Sequence, residues 1–136
     1  MTNASFTGKT ALISGGASGI GLATAQRLIT QGATVWIADI QDTLGQQIAE
    51  EIGANYLHLD VAKEEEWTSA VELIAGQGQG LHLLMNNAGV AIGGTLETQT
   101  TAEFLQTINI NLLGVFLGCK VCAPLLALSG GESIVN

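Results

Sequence analysis

Apolar residues along this chain come in short unbroken runs, and between the runs they recur at helical spacing. "KTALIS" (9–14) is of strand length and ends in glycines, the pattern of a strand buried on both faces. "GIGLATAQRLITQG" (19–32) predicts a helix, with Ile20, Ala23 and Leu28 at helical spacing and Gly32 as the stop. "TVWIAD" (34–39) is β-branched and aromatic, a second strand. "DTLGQQIAEEIG" (42–53) predicts a helix capped by Asp42 and stopped by Gly53. "NYLHLD" (55–60) is a third strand. "KEEEWTSAVELIAGQG" (63–78) is a third helix, with acidic residues at its positive end. "LHLLMN" (81–86) is a fourth strand, followed by a Gly-rich loop over 87–99. Residues 100–128 predict one long helix, with a bend at Pro124, and "ESIVN" (132–136) begins a fifth strand.

Strand and helix alternate with short connections and no repeats. That pattern predicts an α/β fold: one domain over 1–136, a doubly wound parallel sheet with helices on both faces, ending at the fifth strand. Ligands of such sheets bind beyond the carboxyl ends of the strands, where strand order reverses. The residues that close each strand are therefore the ones to read for chemistry.

Charge narrows the ligand. Net charge is −8, with only Lys9, Arg27, Lys63 and Lys120 positive, so no cation cluster exists for a nucleic-acid backbone or an anionic membrane. An anionic ligand must be held by backbone N–H groups. The chain is 47% hydrophobic and 12% charged, which points to a buried sheet or to a face covered by another chain. The stretch 110–128 is apolar, but Asn111, Lys120 and Pro124 favour a buried or interface helix over a membrane span. The N-terminus has no signal-peptide pattern, and the cytoplasm is the expected compartment. Cys119 and Cys122 form a C-x-x-C inside an apolar helical run, where Cys serves as a small hydrophobe. No metal-ligand set accompanies them.

The first strand closes on Ser14, followed by Gly15-x-x-x-Gly19-Ile20-Gly21. Glycines here allow a tight turn, close backbone approach to a pyrophosphate and close helix packing, with the phosphates at a helix N-terminus. No Gly-Lys-Ser/Thr follows, so this is not a P-loop. The second strand closes on Asp39, 18 residues past Gly21, where a carboxylate can accept from both ribose hydroxyls and repel a 2′-phosphate. Ile40 follows rather than Arg, which favours NAD over NADP. Asp60 and Val61 close the third strand and can read adenine, or Asp60 can simply cap the next helix. Asn86, Asn87, Ala88 and Gly89 close the fourth, where the two amides can tie strands together and present backbone to a ribose.

Taken in order, Gly15-x-x-x-Gly19-Ile20-Gly21, Asp39, Asp60-Val61, Asn86-Asn87-Ala88-Gly89 and "INLLGVFLG" (110–118) resemble the short-chain dehydrogenase/reductase family of classical type. Ser14 stands where that family usually has Thr. The resemblance implies a Rossmann-type fold and hydride transfer between NAD(H) and a secondary alcohol or ketone. Gly15, Ser18, Gly19, Ile20 and Gly21 would lie on the pyrophosphate, Asp39 on the adenosine ribose, Asp60 and Val61 on adenine, and Asn87, Ala88 and Gly89 on the ribose side. Asn111 would support a proton relay, the loop from Val90 to Leu96 would contribute to the substrate pocket, and the long helix would join subunits of a homo-oligomer.

The same family uses a Ser and a Tyr-x-x-x-Lys that this sequence does not contain. Its sole tyrosine, Tyr56, has Asp60 at the fourth following position. A free tyrosine near pKa ~10 is a poor base without a nearby cation. His58 and His82 are expected inside strands, away from the catalytic edge, and Glu64–Glu66 are expected as a solvated helix start. These residues alone are thus expected to bind cofactor without turnover. The alternatives are a non-catalytic dinucleotide-binding or oligomerisation module, or an S-adenosylmethionine methyltransferase, against which Asn86–Gly89 argues.

Overall fold

The computed structural model describes residues 5–130 and 133–136. Five strands, β1 (Thr10–Ser14), β2 (Thr34–Asp39), β3 (Asn55–His58), β4 (Leu83–Met85) and β5 (Ser133–Val135), form one sheet in the order β3-β2-β1-β4-β5, with every pairing parallel. Glu132, expected in the fifth strand, lies outside the described residues. Strand order reverses between β1 and β4, so the carboxyl ends of those two strands open a crevice.

Side chains alternate across the sheet as strand geometry requires. Leu12, Trp36 and Ala38 face α3 (Glu64–Gly76) and α5 (Gly114–Leu128), where Trp67, Ile74, Leu117, Cys122 and Leu126 complete one core. Ala11, Ile13, Val35 and Ile37 face α1 (Gly19–Thr30) and α2 (Asp42–Ile52), meeting Ala25, Leu28 and Ala49. Fully burying one such aliphatic side chain contributes ~1.5–3 kcal/mol. Two-sided burial is why β1 reads as an unbroken apolar run rather than an alternating one.

Several local expectations are corrected. The buried residues of α1 are Gly21, Ala25 and Leu28, while Ile20 and Ala23 lie outside that face and Ile20 is 73% exposed. Asp42 is the first residue of α2, not its cap; Gln41 is the cap residue, and the Asp42 carboxylate bonds to β3 side chains instead. Gly53 does end α2, in the left-handed conformation. Lys63 is the cap residue of α3, so Asp60 does not cap it. The predicted long helix is continuous over Thr101–Leu128, but its irregularity is a π-helical turn at Asn109–Leu113, between α4 (Thr101–Ile108) and α5. Pro124 lies within α5.

That helix is long and apolar enough to cross a membrane, with mean hydropathy 1.9. Its α5 half is committed to the core through Leu117, Cys122 and Leu126. No α4 residue is buried, and Phe104, Ile108, Leu112 and Phe116 expose an apolar row at four-residue spacing along the α4–α5 run. Cys122 is buried and Cys119 half-buried, both as free thiols. Burial pushes the Cys122 thiol up to about 12, which fits a packing role.

Candidate functional site

A cavity of about 760 Å³ opens at the carboxyl ends of β1–β4. Its walls include Gly15 and Ser18–Ile20 from the turn and start of α1, Asp39–Gln41 after β2, Leu59–Ala62 after β3, and Asn87–Val90 after β4. Ala102, Leu105, Gln106, Asn109 and Ile110 of the α4–π segment form the remaining side. Of the residues the sequence singles out, Gly15, Ser18, Gly19, Ile20, Asp39, Asp60, Val61, Asn87, Ala88 and Gly89 therefore line one space. Gly21 and Asn111 do not line it.

The turn after β1 is locked to the turn after β4. The Ser14 hydroxyl accepts from the amides of Asn87 (3.1 Å) and Ala88 (3.0 Å). The Asn87 side chain donates to the carbonyls of Ser14 and Gly15, both at 3.0 Å. The Ser14 hydroxyl thus has a visible task, fastening one turn to the other. Gly15 and Gly19 adopt positive φ (64° and 55°), a conformation L side chains rarely take. Gly21 is needed for closeness: a Cβ there would lie 2.5 Å from both Asn87 Nδ2 and the Gly15 carbonyl oxygen. Its part is to let α1 approach the turn.

The start of α1 carries no acidic residue, and Ser18 makes no side-chain capping bond. The first N–H groups of a helix have no intrahelical acceptor, so this end of α1 presents donors and a positive dipole at the cavity wall.

Asp39 is 8% exposed and already partly engaged. Oδ2 accepts from the Ala17 amide (3.2 Å), and Oδ1 accepts from the Gln41 amide (3.1 Å) and side chain (3.4 Å). The carboxylate therefore ties the glycine turn to β2 as well as facing the cavity, a second task invisible in sequence. Asp60 Oδ1 accepts from the Ala62 amide (3.0 Å), and the Val61 carbonyl accepts from Trp67 Nε1 (2.9 Å). The Asp60 amide donates to Glu66 Oε2 at 2.6 Å, so Glu66 is more than a solvated helix start. That bond is the main cause holding the Glu66 carboxyl below its usual range.

Asn111 sits in the π turn and grips the loop after β4: Oδ1 accepts from the Val90 amide (2.8 Å), and Nδ2 donates to the Val90 carbonyl (2.7 Å). Single π turns recur at functional sites, and nothing in residue type announced this one. Asn86 ties β4 to its neighbours, donating to Asn136 Oδ1 (2.8 Å) and lying 3.5 Å from Cys119 Sγ.

The histidines are not where the strand pattern put them. His58 is the last residue of β3, exposed at the carboxyl edge, because β3 ends two residues before the predicted Asp60. His82 precedes β4 at the opposite end of the sheet, half-buried, with Nδ1 accepting from the Thr10 amide (3.1 Å). The Tyr56 hydroxyl lies 2.6 Å from Asp42 Oδ1 and 2.8 Å from the Asp39 carbonyl oxygen, and has a single proton to give to one of them. Burial and then the Asp42 bond push its hydroxyl far above the usual tyrosine value, the opposite of what a general base requires.

The description "short chain dehydrogenase" fits residues 9–136 as a protein family. The chain belongs to the short-chain dehydrogenase family. Among relatives of this short-chain dehydrogenase chain, a 3-alpha-(or 20-beta)-hydroxysteroid dehydrogenase of Mycobacterium tuberculosis is 40% identical over 95% of this chain and 50% of its own length. A 3-beta-hydroxysteroid dehydrogenase of Comamonas testosteroni is 38% identical, covering 100% of this chain and 54% of its own. A trans-4-hydroxycyclohexanecarboxylate dehydrogenase of Sinomonas cyclohexanicum is 40% identical over 94% of this chain. The crystal structure of gox2181 superposes with a TM-score of 0.92 at 26% identity, covering 98% of this chain and 55% of that one. The chain thus spans about half the length of the curated relatives it matches. The α/β doubly wound fold and the family expected from the strand-end motifs are both borne out.

Proposed function

We propose that this chain forms the NAD site of a short-chain dehydrogenase, and that the whole protein interconverts a secondary alcohol and a ketone. The observation that carries this reading is the convergence on one cavity of the glycine turn and uncapped start of α1, Asp39, Asp60–Val61 and Asn87–Gly89. Its volume falls within the roughly 300–1,000 Å³ of small-molecule sites.

The residues fit a dinucleotide. Donors at the start of α1 suit a pyrophosphate in a chain with few cations, and Gly19 has open space where a Cβ would stand. The Asp39 carboxylate would accept from the adenosine ribose and disfavour a 2′-phosphate, with Ile40 and Gln41 beside it offering no positive charge. Asp60 and Val61 would meet adenine. Asn87 spends its side chain on the turn after β1, so the ribose contact on that side falls to the backbone of Ala88 and Gly89. NAD when bound supplies the hydride acceptor. The chain's own part is to bind and orient it, and Asn111 would support a proton relay while holding Val90 at the cavity rim. No Tyr-x-x-x-Lys occurs in these 136 residues, so turnover requires residues outside them.

The relatives named above are dehydrogenases of hydroxysteroids and of a hydroxycyclohexanecarboxylate, and we take a secondary alcohol on an alicyclic skeleton as the substrate class. The apolar row Phe104, Ile108, Leu112 and Phe116 supports subunit association through the long helix.

Calorimetric titration tests the cofactor reading. NADH should bind and NADPH should bind markedly more weakly. Asp39→Ala removes a charge-assisted acceptor worth ~1.5–3 kcal/mol, so NADH affinity should fall ~10- to 100-fold and the preference over NADPH should shrink. Unchanged discrimination would undo the role given to Asp39, and tighter binding of S-adenosylmethionine than of NADH would replace the reading altogether. The 136 residues by themselves should reduce no NAD with a panel of alicyclic alcohols.

A further inference from the structure

The carboxyl edge of β3 carries three ionisable side chains, His58, Asp42 and Glu66, that make none of the dinucleotide contacts above. His58 pairs in register with Asp39 on β2. Its Nδ1 lies 2.7 Å from Asp42 Oδ1, on the first residue of α2, and its Nε2 lies 3.5 Å from Glu66 Oε2, in the first turn of α3. α2 and α3 cover opposite faces of the sheet and β3 is its edge strand, so the imidazole spans that edge. An ionised carboxylate only accepts, and a neutral imidazole has one N–H. Both contacts are favourable together only when His58 carries two protons.

Each carboxylate also holds a piece of the adenosine end of the cavity. Glu66 Oε2 accepts the Asp60 amide, and Lys63 Nζ lies 3.0 Å from Glu66 Oε1 and 3.7 Å from Asp60 Oδ2. Asp42 Oδ1 accepts the Tyr56 hydroxyl, which reaches the Asp39 carbonyl. The charged groups around the imidazole are thus Asp39, Asp42, Asp60 and Glu66 against Lys63. A proton on His58 lowers the net negative charge beside the adenosine end of the cavity.

We propose that His58 is a positioning residue whose protonation tightens dinucleotide binding, by drawing Asp42 and Glu66 together across the sheet edge and so steadying Asp39 and Asp60. This rests on the reading of the cavity as a dinucleotide site. The coupling has the size of a partly exposed ion pair, about two- to fivefold in affinity. Its sign is fixed by the geometry: affinity is highest when the imidazole carries both protons and lower when it carries one.

The test is calorimetric titration of NADH into the whole protein at about pH 5.5 and about pH 8, which bracket the range in which histidine changes charge. Wild type should bind about two- to fivefold more weakly at the higher pH. His58→Gln and Glu66→Gln should each flatten that dependence. His82→Gln, at the far end of the sheet, should keep it and so excludes the second histidine of these 136 residues. Equal wild-type affinity at both pH values, or a dependence that survives His58→Gln, overturns the proposal while leaving the dinucleotide site intact. An absence of NADH binding at either pH overturns the dinucleotide reading and this inference with it.

Discussion

Two helices that wall the same cavity begin in opposite electrostatic condition. α4 starts with a complete capping box: the Thr100 hydroxyl accepts the Glu103 amide (3.2 Å), and Glu103 Oε2 accepts the Thr100 amide (2.8 Å). α1 starts with neither a side-chain cap nor an acidic residue. Composition does not explain the difference, because acids outnumber bases twelve to four and three glutamates fill the first turn of α3. A chain rich in acids that keeps them away from one helix start leaves that start's donors for something else. The comparison teaches that local helix stability and ligand binding compete for the same N–H groups.

The largest effect expected from breaking this arrangement is on closeness. Gly21→Ala drives a methyl into Asn87 and the Gly15 carbonyl, and should cost about 1–3 kcal/mol in chemical denaturation together with NADH affinity. Ile20→Glu sharpens the comparison, because its two effects have opposite signs. An acid in the first turn of α1 should leave stability unchanged or raise it by about 0.3–1 kcal/mol. The same charge at the cavity wall should weaken NADH binding ~10-fold or more, by competing for the donors a pyrophosphate needs. A loss of stability without a loss of affinity would sink the distinction. Thr100→Ala is the mirror experiment at α4: about 1 kcal/mol of stability lost, with NADH affinity changed far less than by Ile20→Glu.

The smallest and most diffuse effect is acid sensitivity. Glu103 titrates below its usual range because the Thr100 amide bonds its carboxylate, Glu66 because the Asp60 amide does, and Asp42 because of the Tyr56 hydroxyl and then His58. A depressed folded-state value stabilises the fold above the unfolded value and is lost as pH falls through the folded one. Melting temperature should therefore hold near neutrality and decline below about pH 4. Glu103→Gln should make the α4 share of that decline disappear.

How much of this was legible can be judged from particular residues. Asp39 stood at the end of a β-branched run at the right remove from the glycines, and it lies at the cavity wall. Its bond to the Ala17 amide could not be read, since it joins residues 22 apart through a turn. Asp42 looked like a cap because Asp is a good one. Tertiary contacts with Tyr56 and His58 claimed its carboxylate and moved the cap to Gln41. Ile20 shares the helical spacing of Ala23 and Leu28 but was expected on the pyrophosphate, and it is exposed at the cavity, because Gly21, Ala25 and Leu28 set the buried face of α1. The π turn over Asn109–Leu113 left no mark in residue type, yet it carries Asn111 onto Val90.

What the sequence by itself determined is the order of elements and the residues that close each strand. Strand and helix periods and glycine's steric freedom are local properties, and they survive without knowledge of neighbours. What only the tertiary structure decided is which polar group meets which. The Ser14 hydroxyl under Asn87 and Ala88, the split duty of Asp39, and His58 spanning two carboxylates across the sheet edge all join residues far apart in the chain. Buried or crowded polar atoms must find partners wherever packing brings them, and packing is a property of the whole fold.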